Sequence, residues 1–265
     1  MKAPYPKISV ITASYNQGHR IEETFKNVQQ QNYPNLEYIV IDGASTDNTL
    51  DIIKKYETFI SIWISEPDTG VYNAMNKGIA MATGDLIYFL NVGDSFYSDN
   101  VLLKAGEFAL KYNTADLLYG DAWLLYNTGK VEKRETAYLS KINLFQKMIC
   151  HQTIFAKRRL FLENGGFDEQ YKIKADYEWL LRNIFKGATH KYIDLDVCYY
   201  EVEGMSAFGY SKISVFESPK IVEKYFSPLA FKFITRFILN TKVTGITTSH
   251  LRSKLFLSLC DKLIH

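Results

Sequence analysis

Small polar residues and carboxylates recur at intervals in the first hundred positions, each set placed directly after an apolar run. Residues 8–13 are followed by Ser14-Tyr15-Asn16, residues 36–41 by Asp42-Gly43, residues 60–64 by Ser65-Glu66, and residues 85–90 by Asn91-Val92-Gly93-Asp94. If the apolar runs are strands of an open α/β sheet, their polar tails converge outside the carboxyl ends, where such sheets bind ligands. Taken singly, each of these residues serves equally well as a loop or capping residue. As a set, the acidic members point to a metal or a nucleotide. The usual phosphate cradles are absent, since no Gly-x-x-x-x-Gly-Lys-Ser/Thr loop occurs and no Gly-x-Gly-x-x-Gly follows the first run. A divalent cation on carboxylate oxygen is the simplest substitute, and Asp94 is its natural ligand. Asp176 lies at a predicted helix start after a turn-rich stretch, with Glu178 two residues on; Asp176 also fits an N-cap.

The elements that must position these groups alternate. Helical phasing of Ile21, Phe25 and Val28, then of Leu50, Ile53 and Tyr56, then a short helix over 73–81, separates the four apolar runs. Strand and helix at this spacing predict parallel pairing in a doubly wound sheet. After Asp94 the pattern changes. A helix over 100–112 precedes a strand over 117–126, and Asn127-Thr128-Gly129-Lys130 predicts a hairpin, hence antiparallel additions. Helices over 158–164 and 176–185 end at Gly165-Gly166 and Gly187.

Composition narrows the function. With 265 residues and 47% hydrophobic content the chain can bury a sizeable core. A net charge of only +2 argues against nucleic acid as a partner. Cys150, Cys198 and Cys260 form no paired framework, which fits a reducing compartment. The first residues form no apolar leader and no run reaches membrane-spanning length, so a cytoplasmic location is expected. The segment 212–265 differs: it carries nine basic residues against three acidic ones, interleaved with Phe226, Phe231, Phe233, Phe237 and neighbouring aliphatics. Such a helical tail suits the inner face of an anionic membrane, as a peripheral contact; it also suits a lid on the catalytic domain or a dimer contact.

Five ordered blocks resemble family-two glycosyltransferases of the GT-A fold. They are 9–16, 38–47, 65–78, 84–94 and, on the acceptor side, His151-Gln152 with Gly166-Phe167-Asp168-Glu169 and Ala175-Asp176-Tyr177-Glu178-Trp179. The resemblance covers residues 7–205 and is nearest to the bacterial branch acting on capsule, exopolysaccharide or O-antigen. It implies an α/β, Rossmann-like mixed sheet, mostly parallel with antiparallel additions, flanked by helices and extended by the C-terminal helical tail. It implies a catalytic domain over 1–211, divided into a nucleotide-sugar half (1–94) and an acceptor half (95–211), ahead of the tail over 212–265.

The resemblance also implies roles. Thr12, Ala13, Ser14, Tyr15, Asp42 and Gly43 would line the base and ribose of a nucleotide-diphosphate sugar. Asp68, Asn73 and Lys77 would stand near the base or phosphates, with Asn91, Val92 and Gly93 completing the donor site. Asp94 would hold Mn or Mg, and Asp176, which fits the motif better, or else Glu178 two residues on would be the base of an inverting transfer to a glycan or lipid-linked acceptor. His151, Gln152, Glu178 and Trp179 would lie on the acceptor side, Trp179 fitting core duty as well. Two departures stand out: the Asp-x-Asp element is reduced to Asn91-Val92-Gly93-Asp94, and the acid pair after the second strand to Asp42-Gly43. The rival readings are a nucleotidyltransferase, for which Tyr15–Arg20 is a poor basic glycine loop, and a non-catalytic nucleotide- or glycan-binding subunit.

Overall fold

The computed structural model describes residues 5–136, 139–146, 148–202 and 213–228. Strand β1 (Ile8–Ser14) is central, and Ile8 to Thr12 are all buried because helices cover both of its faces. Helix α1 (Ile21–Gln30) buries Ile21, Phe25 and Val28 from one stripe. Then follow β2 (Leu36–Asp42), α2 (Thr49–Lys55), β3 (Ile62–Ser65), α3 (Val71–Met81) and β4 (Leu86–Phe89). All pairings among β1, β2, β3 and β4 are parallel, as the alternation predicts.

The second half adds β5 (Ser95–Phe96), α4 (Val101–Lys111), β6 (Leu117–Leu125), β7 (Val131–Arg134), α5 (Lys141–Gln146), β8 (Ile154–Lys157), α6 (Arg158–Asn164), α7 (Ala175–Phe185), β9 (His190–Glu201) and α8 (Ile213–Tyr225). The sheet order is β3-β2-β1-β4-β8-β6-β9-β5, with β7 off the path beside β6. Antiparallel pairing begins at β4–β8 and recurs at β8–β6, β6–β7 and β5–β9, while β9 returns parallel to β6. The β6–β7 hairpin closes at the predicted turn, where Tyr126 N donates to Lys130 O at 3.0 Å. β5, β8 and β9 lie outside the predicted strands. The first is two residues long, and β9 slips register against β6 between Tyr119 and Ala122, which breaks its alternation.

The order in which strands are added reverses at β1, because β2 and β3 lie on one side of it and β4 on the other. That switch point opens a crevice at the carboxyl ends of β1 and β4. One face of the sheet is covered by α1, α2 and α4, the other by α3, α6, α7 and α8. Helix α8 is part of the second core: Ile221, Val222 and Phe226 are buried there, and the Phe226 ring meets Phe145 and Phe185 edge-on. The remaining tail, 229–265, lies outside the described residues.

Candidate active site

The loops after β1 and β2 are sewn together. Asn16, in the left-handed region (φ 52°), donates its N–H to Ser45 Oγ (2.8 Å) and accepts Thr46 N–H on Oδ1 (2.8 Å). Gly18 N donates to Asp47 Oδ2 at 2.9 Å and Gln17 N to Thr49 Oγ1 at 2.9 Å. Asp42 directs this folding from beneath. It is fully buried and accepts from Ser45 N (2.8 Å), Ser45 Oγ and Ser65 Oγ (2.7 Å), an Asx-type turn that holds Ala44 at φ 61°. Thr12 is likewise internal, bonding Leu90 O at 2.8 Å and Tyr38 OH at 3.1 Å. Both residues therefore shape these loops from within rather than facing the crevice.

Three groups gather over this floor. Tyr15, just past the end of β1, is 57% exposed. Gly43 lies against it, and a Cβ added there would stand 2.4 Å from Asp68 Oδ2, so the carboxylate needs the missing side chain. Ser14 Oγ, buried beside them at the end of β1, has no hydrogen-bond partner among the described residues. Ala13 is partly buried against the core of the α3 side. Asn73 donates to Glu169 Oε2 (3.0 Å), and Lys77 ion-pairs with Glu66 and donates to Pro67 O, each at 2.8 Å. These two tie α3 to its flanking loops.

The loop after β4 holds the second group. Asp94 is buried and accepts from Gln152 Nε2 (3.1 Å) and Glu201 N (3.3 Å). Burial pushes its carboxyl up to about 6, against the opposing hydrogen bond from Gln152. Gly93, at φ 99°, is the hinge of the loop; a Cβ there would stand 2.5 Å from the Arg20 guanidinium. Arg20 in turn pairs with Glu201. Val92 packs partly buried against the α1 side, and Asn91 Nδ2 stands 3.4 Å from His151 Nε2.

Asp176 forms the third group. His151 Nδ1 donates to its Oδ2 at 3.0 Å, Tyr177 N to Oδ1 at 2.9 Å, and the Tyr72 hydroxyl lies 3.0 Å from Oδ1. Burial alone raises this carboxyl, but the hydrogen bond and charge of His151 outweigh it and hold Asp176 below its usual range. Burial alone lowers His151, and Asp176 reverses that too, so the imidazole is held above its ordinary value. Beneath the pair lies a cavity of about 20 Å³, walled by Phe89, Phe161, Phe167 and Trp179, with space for about one water. Trp179 is core: its ring stacks on Phe161 at 4.3 Å and its Nε1 donates to Gly165 O at 3.2 Å. Glu178 points the other way. It is fully buried and held by Arg182 (2.6 Å), Lys224 (2.8 Å) and Tyr225, on the side of α7 that faces α8.

The structure thus brings Tyr15, Gly43, Asp68, Asn91, Gly93, Asp94, His151, Gln152 and Asp176 to the carboxyl-end crevice and its rim. It adds residues that sequence reasoning missed. Arg20 closes a loop that reads as a poor phosphate cradle, Tyr72 sits inside the quoted 65–78 block, and Glu201 ends a strand whose alternation is broken. The residues fit a divalent cation in one respect: Asp94 is a desolvated carboxylate with no ion-pair partner among the described residues. No cluster of three ligating side chains occurs among those residues, so the protein would supply one carboxylate and a bound ligand or water the rest.

A family model described as Glycosyl transferase family 2 matches residues 9–162. A PGL/p-HBAD biosynthesis glycosyltransferase of Mycobacterium bovis is 31% identical over 180 residues, spanning 67% of this chain and 69% of that protein. Among solved structures, S. aureus TarS 1-349 in complex with UDP-GlcNAc superposes with a TM-score of 0.67 at 19% identity, over 82% of this chain and 64% of that one. The mannosyltransferase PcManGT from Pyrobaculum calidifontis, in complex with GDP-Man and Mn2+, gives a TM-score of 0.60 at 19% identity, over 79% and 63%. At such identity the structural likeness establishes the shared GT-A fold, and the chain spans under two thirds of either solved chain.

Proposed function

The chain belongs to glycosyl transferase family 2, and from that premise we propose that it moves a sugar, with inversion, from a nucleoside-diphosphate donor to a glycan or lipid-linked acceptor. The nucleotidyltransferase reading is set aside by the family match. The observation that carries the proposal is Asp94: a buried, proton-hungry carboxylate at the carboxyl end of β4, facing a loop shared with Arg20. A buried charge of this kind is costly unless a partner completes it, and a donor diphosphate with a cation is such a partner.

The roles follow from chemistry. Tyr15 offers an exposed ring to the base, and Asp68, fitted against Gly43, offers an acceptor for its polar edge. Asp94 would hold the divalent cation, Mn or Mg, whose charge when bound stabilises the leaving diphosphate. Arg20 stands where a guanidinium can trade Glu201 for phosphate oxygens, a bidentate exchange that lysine makes less well. Asp176 takes the acceptor hydroxyl's proton on the side opposite the leaving group. As that O–H bond breaks, the oxygen bonds to the anomeric carbon and the carbon–diphosphate bond breaks, releasing the nucleoside diphosphate. His151, Tyr72 and the Tyr177 amide fix the orientation of the carboxylate. The name of the Mycobacterium bovis relative and the donor complexes of the two solved structures support a glycan-assembly setting. The basic, aromatic segment after 228 supports a peripheral position on an anionic membrane surface.

A thermal-shift panel of UDP-, GDP- and dTDP-sugars, with and without Mn2+, tests the donor and metal assignments. A donor-specific shift that requires metal is expected, and Asp94→Ala should abolish its metal-dependent part. A shift indifferent to metal in both proteins overturns the role of Asp94. Tight donor binding with no turnover on any acceptor would favour the non-catalytic subunit.

A further inference from the structure

Helix α7 carries Asp176 in its first turn, yet its own N-cap residue, Lys174, makes no side-chain cap. The chain entering a helix normally finds partners for its free N–H groups nearby. Here the partner comes from another helix. Glu217 of α8, 8% exposed, accepts Lys172 N–H on Oε1 (2.7 Å), and Ile173 N–H (3.1 Å) and Lys174 N–H (3.0 Å) on Oε2. Three consecutive amides closing on one carboxylate form an anion nest. The negative charge also sits at the positive end of α7, where it is favourable.

That anchored segment is joined directly to Asp176. The Tyr72 hydroxyl stands 2.7 Å from Ile173 O and 3.0 Å from Asp176 Oδ1, so one phenol spans both. Meanwhile α8 is held in place independently. Ile221, Val222 and Phe226 are buried beneath it, and Lys224 and Tyr225 engage Glu178 one turn into α7. The helix is therefore a fixed strut whose Glu217 grips the approach to the proton-accepting residue.

We propose that Glu217 is a positioning residue for the transfer reaction: from α8 it fixes segment 172–174 and, through it, the Asp176 carboxylate. The proposal rests on the reading of Asp176 as the base. It also extends the catalytic unit through residue 228, so the first helix of the basic tail belongs to the machinery. Misplacing a reacting group by about 1 Å costs up to about 100-fold in rate, and that is the scale of effect at issue.

The test compares Glu217→Ala, Glu217→Gln and Asp176→Asn in the full chain. Turnover is read as nucleoside diphosphate released from UDP-glucose, UDP-GlcNAc or GDP-mannose with Mn2+, using whichever of the three the wild type turns over fastest. Donor affinity and Tm are measured on the same samples, and rates are normalised to the folded fraction. Glu217→Ala should lower kcat about 10- to 100-fold with donor KM and Kd within about twofold. Glu217→Gln, which keeps one acceptor oxygen, should recover part of the loss, and it carries the same test if the alanine variant does not fold. Unchanged kcat, or kcat and donor affinity falling together with the folded fraction, overturns the positioning role. Asp176→Asn decides the base assignment separately. Full turnover there removes the base reading, whereas an inactive Asp176→Asn beside a fully active Glu217→Ala removes only the proposal.

Discussion

Burial holds the Asp94 carboxyl in a state that costs stability near neutral pH. Its folded carboxyl sits at about 6 against an ordinary 3.8. Below pH of about 4 both folded and unfolded chains carry the proton, and no penalty arises. Between about 4 and 6 the unfolded state releases it while the folded state keeps it, so stability falls as pH rises and stays lower above 6. The loss is on the order of 3 kcal/mol. Asp94→Asn keeps the shape and one acceptor oxygen while removing the charge. Without metal it should raise Tm by several degrees at pH 7.5, and the gap should close at pH 4, as followed by circular dichroism melts. A variant no more stable than wild type at pH 7.5 would show that Asp94 is not strained. Stability gained at a site by deleting its charge is a common mark of a functional group.

At the level of elements, the α7–α8 pair separates two acids that the sequence leaves adjacent. Asp176 and Glu178 are two residues apart, which on a helix turns them to different faces. Which face looks into the crevice depends on where α8 docks, and helical periodicity does not reveal a neighbour about forty residues away. Docking gives Glu178 to Arg182, Lys224 and Tyr225. Breaking a buried pair by removing one partner strands the other charge, at about 3 kcal/mol. Lys224 can swing into water, but Arg182 is more confined, with side chains 45% and 17% exposed respectively. Glu178→Gln should therefore lower the urea midpoint clearly while turnover per folded molecule stays within about twofold; loss of turnover without loss of stability would return Glu178 to the chemistry. The same reasoning explains what else was legible. The parallel half could be read because each buried strand and amphipathic helix carries its pattern locally, as in β1 and α1. Arg20 and Glu201 could not, since their meeting depends on β9, whose register slips and whose partner strands are remote. The Asp94 position was visible because a charged residue ending an apolar run is a local anomaly, whereas the grip of Glu217 on 172–174 is wholly tertiary.

At the scale of the whole molecule, the basic excess lies at the carboxyl-terminal end of the sequence. Residues 229–265 carry six basic residues and a single acidic one, among many aromatics and aliphatics. Each cation near an anionic surface contributes about 1 kcal/mol, enough in sum for peripheral binding at moderate salt. A cut at 212 cannot test this cleanly, because it also removes Ile221, Val222 and Phe226 from the core and Glu217 from the entry to α7. Burying such side chains stabilises by about 1.5–3 kcal/mol each, and a domain has little more than that in reserve. A chain ending at 228 keeps all of these contacts. It should melt within a few degrees of the full chain, retain donor turnover, and lose co-sedimentation with phosphatidylglycerol vesicles, whereas a chain ending at 212 should lose stability and turnover together. Undiminished vesicle binding by the 1–228 chain would remove the membrane from the account and return the basic segment to a role in self-association.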